Sequence, residues 1–229
     1  AKKSRVVKEE DKRITAYHES GHAIIAKSVK YCDNVHEVSI IPRGQAAGYT
    51  ITLPTNDDNH MTKQKLLDNI TMLLGGRAAE EIVIKDVSTG ASNDIQRASK
   101  LARKMVTEWG MSETLGTMYL GASEEVFLGR DYQTQLNYSD AVAAKIDEEV
   151  KRILDEQYQE ALDILKANRK VMDAMVKLLY EKETIYDTDI DRLFEEAEGK
   201  STLSVAEEAT EIVSAEDATE VAPTCDKAE

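Results

Sequence analysis

Ile14, Tyr17, Gly21, Ile25 and Val29 recur every three or four residues. That is the period of one face of an α-helix, and it predicts a helix from about Glu10 to Lys30. His18 and His22 fall on the same apolar face. Val35 to Ile41 and Gly48 to Leu53 then read as two strands joined around Pro42-Arg43-Gly44, with Pro54 closing the second. Val35, Glu37, Ser39 and Ile41 do not alternate cleanly, so the pattern leaves their register open. Thr62 is placed to cap a helix running to about Ile84, with Leu66, Leu67, Ile70, Leu73 and Leu74 apolar. Gly75-Gly76 interrupts that helix, where glycine is locally unfavourable. Close approach of another backbone, that of the histidine-bearing helix, is the expected reason.

After a polar loop from Lys85 to Ser92, a third helix is predicted from about Asn93 to Trp109. Its stripe is Ala98, Leu101, Ala102 and Met105, and Gly110 ends it. Residues 111–138 read as irregular, with a short strand expected near Met118 to Leu120. Ser139-Asp140 opens a long helix to about Ala167, carrying Ile146, Val150, Ile153, Tyr158, Leu162 and Leu165. Asn168 starts another to about Lys182, and Asp187 a short one ending near Ala197. From Glu198 onward Glu, Ala, Thr, Ser and Val follow no usable period, and this tail is expected to be disordered. The pattern as a whole gives a mainly α fold with a small β element.

Charge sharpens that division. The chain of 229 residues has a net charge of −14, but residues 195–229 alone hold 11 acidic and 2 basic side chains. The remainder is only mildly acidic, which argues against nucleic acid as a partner. Cys32 and Cys225 stand at opposite ends with no metal or redox spacing, so a disulfide framework is not expected and a reducing compartment fits. No apolar run approaches the roughly 20 residues that span a bilayer. The opening Ala-Lys-Lys-Ser-Arg lacks an initiator methionine and a secretory signal, which suggests a piece of something longer.

The chemistry lies in His18-Glu19-Ser20-Gly21-His22. Two imidazoles four residues apart on a helix stack on one face, close enough to share a Zn²⁺. Glu19 then stands beside the metal, where it can take a proton from an activated water. On a buried apolar face, unpartnered histidines would be costly, and ligation removes that cost.

Catalytic zinc takes three protein ligands and leaves a position for water. An extended motif with a third histidine fails, because Ile25 and Ser28 occupy the glycine and histidine positions it requires. A glutamate on a helix 20 to 25 residues later fails as well, since that stretch reads as strand. Glu80, Glu81, Asp86, Asp94 and Glu108 remain open on chemistry alone, with His36 and His60 less attractive because strand-edge and loop histidines are usually solvated.

Several segments nonetheless follow one another in a recognisable order. His-Glu-Ser-Gly-His is followed by Leu74-Gly75-Gly76-Arg77-Ala78-Ala79-Glu80-Glu81 and by Ser88-Thr89-Gly90-Ala91-Ser92-Asn93-Asp94-Ile95. Then come Ala102-Arg103-Lys104-Met105-Val106, Trp109-Gly110-Met111-Ser112 and Phe127-Leu128-Gly129-Arg130. Over roughly residues 6–195 the chain resembles the peptidase domain of the FtsH family of ATP-dependent, membrane-anchored zinc proteases.

The resemblance implies a zincin-like helical metallopeptidase domain with the His-Glu-x-x-His motif on its first helix. It implies His18, His22 and Asp94 as zinc ligands and Glu19 as general base. Glu80 and Glu81 become groups behind the ligands or between helices, with Glu80 the alternative third ligand. Residues 1–13 would be a linker from a missing ATPase module, 14–135 the peptidase core, 136–197 its C-terminal helical bundle, and 198–229 the acidic tail. The implied activity is zinc endoproteolysis of unfolded, misfolded or membrane proteins. The implied partners are an upstream ATPase and membrane anchor in a homo-hexamer at the cytoplasmic face of a bacterial inner membrane, this fragment itself being soluble. ATP would be used by the upstream module and not bound here, since no phosphate-binding loop occurs in this chain. A different class of function, an assembly or holdase module that keeps the fold without cleaving, would be expected to lack Glu19 or a ligand. Gly48 to Leu53 is a candidate edge for pairing with an extended substrate.

Overall fold

A computed structural model of the chain describes residues 8–44, 46–54, 60–121, 138–197 and 199. Residues 1–7 of the proposed N-terminal linker, the expected acidic tail apart from residue 199, and the Phe127-Leu128-Gly129-Arg130 segment lie outside the described residues.

The first helix, α1 (Glu9–Ser28), begins with Glu9, Glu10 and Asp11 and ends with Lys27 in its last turn. Both biases complement the helix dipole. Strands β1 (Asn34–Ser39) and β2 (Tyr49–Leu53) pair antiparallel, and the register shifts between Val35 and Glu37. This bulge explains why the strand does not alternate: Val35 and Val38 both face inward although they are three residues apart. β1 ends at Ser39, before the predicted Ile41, because the Ile40 amide turns to the carbonyl of Glu183 and the Ile41 amide to Ser39 Oγ.

Helix α2 (Lys63–Ile84) starts under the cap expected at Thr62, whose hydroxyl accepts from the Lys65 amide at 3.2 Å. Helix α3 (Ser92–Thr107) is shorter than expected at its C-terminus. Gly110, at φ +58°, turns the chain back so that the Met111 amide reaches the carbonyl of Met105. The strand expected at Met118–Leu120 does not form. The Leu120 amide instead donates to the carbonyl of Thr107 at 2.7 Å, so this segment serves the open end of α3.

Helices α4 (Asp140–Ala167) and α5 (Arg169–Lys182) follow, and then β3 (Thr184–Tyr186). β3 pairs with β1 on the side opposite β2, giving the order β2-β1-β3. Residues 187–197 are again helical.

Two apolar clusters divide the interior. One joins α1, β1, α5 and the second half of α4 through Ile24, Ile25, Val38, Leu165, Met172, Met175 and Leu179. The other joins the first half of α2 to α3 and the start of α4 through Leu66, Ile70, Met105, Ile146 and Ile153. α4 is long enough to serve both, and α2 contributes Leu66 to Leu74 to one and Ala78 and Ala79 to the other.

Where α1 meets α2, the expected close approach is met. A Cβ at Gly21 would lie 2.5 Å from the carbonyl oxygen of Gly75 and 2.8 Å from Ala79 Cβ, so the two backbones touch. The helix propensity lost at each glycine, about 1 kcal/mol, is the local cost of bringing the helices this near.

Candidate functional site

The contact between α1 and α2 fixes the residues that flank Gly21 on α1. His18 and His22 point past α2 toward the first turn of α3, where Asp94 sits. His18 Nε2 lies 3.4 Å and His22 Nε2 3.6 Å from Asp94 Oδ2, and the two Nε2 atoms are 3.1 Å apart. Bonds of about 2.0–2.2 Å to a tetrahedral centre separate ligand atoms by about 3.3–3.5 Å. The three atoms therefore match the spacing that one zinc ion demands.

Each imidazole is also fixed from behind. His18 Nδ1 donates to Glu80 Oε1 at 2.8 Å, and His22 Nδ1 donates to the carbonyl of Met72 at 2.7 Å. An ionised carboxylate and a carbonyl can only accept, so both Nδ1 atoms carry protons and both Nε2 lone pairs are directed at the shared point. Where both rings are neutral, two Nε2 lone pairs and a carboxylate oxygen converge on a point that suits a cation. The electrostatics agree. Burial disfavours a charged His18, but Asp94 and Glu80 outweigh it and push its pKa up to about 9. Burial likewise opposes ionisation of Asp94, and the two histidines overcome it, holding the carboxyl well below the usual range. In these residues a proton on His18 balances the charge of Asp94 and Glu80.

Glu80 is only 1% exposed. Burial raises its pKa, but hydrogen bonds from His18 and from the amide and hydroxyl of Ser88 more than compensate and lower it. Its carboxylate thus meets the Nδ1 side of His18, away from the convergence point, and ties the loop before α3 to α2. Glu81, one residue on, faces the other way and accepts from the Tyr158 hydroxyl at 2.6 Å, joining α2 to α4. It pairs helices and does not touch the histidines. Asp86 accepts from the adjacent Val87 amide, and Glu108 pairs with Lys104, so neither approaches the site. His36 and His60 are exposed, as expected.

Glu19 is buried beside the histidines, and its Oε2 accepts a hydrogen bond from Thr50 Oγ1 of β2 at 2.8 Å. The same hydroxyl lies 3.3 Å from the Glu19 carbonyl. Gly48 makes room for this contact: a Cβ there would lie 2.7 Å from the Ser39 carbonyl and 3.0 Å from Glu19 Cγ. Gly76 does the same for His18, since its Cβ would fall 2.4 Å from His18 Cε1 and 2.5 Å from Nε2. Sequence reasoning foresaw a close approach at the glycine pair but not that one of them seats an imidazole. It missed Thr50, Ser88, Gly48 and the Met72 carbonyl. A threonine on a strand and a main-chain carbonyl carry no distinguishing signal, while Gly48 before a strand was open to suspicion as a close-contact position.

Comparison with known proteins identifies the family of the chain. Residues 5–193 match the model of peptidase family M41. The chain is 52% identical over 201 residues to the ATP-dependent zinc metalloprotease FtsH 1 of Thermoanaerobacter sp. (strain X514), covering 86% of this chain and 33% of that protein. It is 49% identical over 197 residues to the ATP-dependent zinc metalloprotease FtsH of Bacillus subtilis (strain 168), covering 85% and 31%. A third relative, from Caldicellulosiruptor bescii, is 50% identical over 199 residues, covering 86% and 32%. The chain thus spans about a third of the length of the curated relatives it matches. With the family model covering residues 5–193 and relatives near half identity, the chain belongs to peptidase family M41 and contains an FtsH-family peptidase domain.

Proposed function

We propose that this chain is a zinc endopeptidase domain that hydrolyses peptide bonds of unfolded polypeptides, with His18, His22 and Asp94 holding the metal and Glu19 acting as general base. The observation that carries the reading is the convergence of two Nε2 atoms and one Asp94 oxygen within 3.1–3.6 Å of one another, next to a buried glutamate. When bound, zinc supplies Lewis-acid polarisation of the scissile carbonyl and brings the pKa of the attacking water toward about 7.

The protein's own groups do the rest. Glu80 and the Met72 carbonyl hold the imidazoles in the tautomer that leaves Nε2 free. Glu19 accepts the proton of the attacking water and returns it to the departing amine. Thr50 restrains that carboxylate through Oε2, leaving Oε1 for the proton. β2 pairs with β1 on one side only among the described residues, so its other edge offers main-chain groups to an extended peptide. Recognition through backbone pairing demands an unfolded substrate and reads little of its sequence.

In the full-length protein the domain would be fed by an ATP-consuming module and tethered at the cytoplasmic face of a bacterial inner membrane. Among the described residues no helix is long and apolar enough to cross a membrane. A homo-hexamer is the proposed assembly, with α4 and α5 available for contacts between copies. Residues 14–135 and 136–197 would then act as one domain, because α4 contributes to both apolar clusters.

Casein digestion tests the reading. The zinc-loaded chain is expected to degrade unfolded casein, to stop after treatment with a zinc chelator, and to recover when zinc is restored. Zinc-loaded chain that leaves casein intact would point instead to the non-cleaving assembly module.

A further inference from the structure

Beside the candidate metal centre a groove of about 330 Å³ runs between α2 and α3. Its floor is Met72, Leu73 and Leu101, and its rim holds Arg97, Lys100 and Lys104. Among the described residues no acidic side chain lines it, in a chain with 43 acidic residues against 29 basic. The three cations stand at i, i+3 and i+7 on α3, so they form one stripe along the helix. Their charge is poorly spent within the protein. Arg97 reaches Asp94 only at 4.0 Å and Lys104 reaches Glu108 only at 3.9 Å, while Lys100 has no ion pair among the described residues.

The groove adjoins the site through two residues. Met72 lines it and also supplies the carbonyl that holds His22, and Arg97 stands one turn beyond Asp94. At about 1.5 Å of rise per residue, the three cations lie roughly 5, 9 and 15 Å along α3 from Asp94. An extended peptide advances about 3.3 Å per residue, so one laid along α3 from the site would meet these charges roughly two to five residues from the bond being cut.

We infer that Arg97, Lys100 and Lys104 form a specificity-determining subsite that favours substrates with acidic side chains two to five residues to one side of the scissile bond. This rests on the protease reading above. Backbone pairing at β2 reads little sequence, and the cationic groove adds selection by charge. Its apolar floor takes the aliphatic stems of glutamates or the small apolar residues between them. The lysine pair is outside the catalytic constellation, so its reversal changes preference and not chemistry.

The test uses the full 229-residue chain loaded with zinc and peptides sharing one apolar scissile sequence. Paired Glu, Gln or Lys residues are placed two to five positions away, in one series on the N-terminal side and in another on the C-terminal side. In one series the Glu peptide is expected to exceed the Lys peptide in kcat/KM by about five- to tenfold, as a few exposed ion pairs allow. The difference should shrink as salt is raised to about 0.5 M. In the double variant Lys100→Glu, Lys104→Glu the order should invert while the Gln peptide is cut as before. Equal kcat/KM for Glu and Lys peptides in both series would overturn the inference, as would a preference that survives the double variant. A wild-type chain that cuts casein but shows no charge preference refutes the subsite alone. One that cuts neither casein nor the Gln peptide refutes the protease reading with it.

Discussion

Glu19→Gln is expected to keep its zinc and to lose about 10²- to 10⁴-fold in kcat, the range that a positioned general base contributes. Glutamine has nearly the shape of glutamate and can still accept from Thr50 Oγ1 through its carbonyl oxygen, so the contact between α1 and β2 survives. It cannot take a proton. The loss should fall on kcat with KM little changed, because Glu19 contributes to the transition state and not to holding an extended peptide. Thr50→Ala makes a useful companion. It leaves the base in place but frees it to rotate, and the expected loss is about tenfold, recovered in Thr50→Ser. Parallel metal analysis and casein assays decide the matter; a Glu19→Gln chain that cuts casein at the wild-type rate would remove Glu19 from the mechanism.

Gly76→Ala carries the second large effect, and it separates folding from function. Alanine favours a helix interior by about 1 kcal/mol over glycine, so α2 alone would gain. The new Cβ would however fall 2.4–2.7 Å from three atoms of the His18 ring, among them the ligand nitrogen Nε2. A side chain can move where a backbone cannot, so the ring is displaced and the fold is kept. Displacement of about 1 Å is enough to cost on the order of 10²-fold in rate. The expected outcome is a midpoint of thermal unfolding in chelator close to wild type, with zinc affinity and casein cleavage both reduced at least about tenfold. Gly21→Ala is the contrast: its Cβ meets the Gly75 carbonyl at 2.5 Å, so that variant should lose stability in chelator as well as activity.

These glycines also mark how far the sequence could be read. The helical period around His18 and His22 was strong enough to place both histidines on one buried face, and the Gly75-Gly76 break was strong enough to bring the two helices together. Asp94 is different. Chemistry alone left five carboxylates open, and only the resemblance to FtsH-type peptidases chose among them. Geometry gives a separate reason for the same residue: Glu80, Glu81, Asp86 and Glu108 each have other partners, and Asp94 alone faces both Nε2 atoms. What stayed hidden depends on pairings distant in the chain. β3 has three residues, too few for a period, and is fixed by β1. The bulge after Val35 blurs the alternation that would have set the register. The expected strand at Met118–Leu120 failed because an apolar run says nothing about whether a neighbouring strand or a helix end will take its amides.

Taken together, the parts form a hierarchy in which packing serves chemistry. The glycine contact sets the distance between α1 and α2, and Glu80 and Met72 on α2 then set the two imidazoles. Ser88 ties Glu80 to the loop that delivers α3, and with it Asp94. β1 positions β2, whose Thr50 reaches back to Glu19. Helix α1 therefore supplies His18, Glu19 and His22, α2 supplies Glu80 and the Met72 carbonyl, and α3 and β2 supply Asp94 and Thr50.

Zinc content measured by elemental analysis after dialysis against a weak chelator, for wild type, Asp94→Ala and Glu80→Ala, tests the assignment of the ligands most directly. Wild type should carry about one zinc per chain, as a three-ligand catalytic site does. Asp94→Ala should carry almost none. Glu80→Ala should still fill when zinc is supplied in excess, with affinity about 10- to 100-fold weaker, because it removes a group that steadies His18 and not a ligand. Full zinc in Asp94→Ala together with its loss from Glu80→Ala would contradict the assignment and make Glu80 the third ligand.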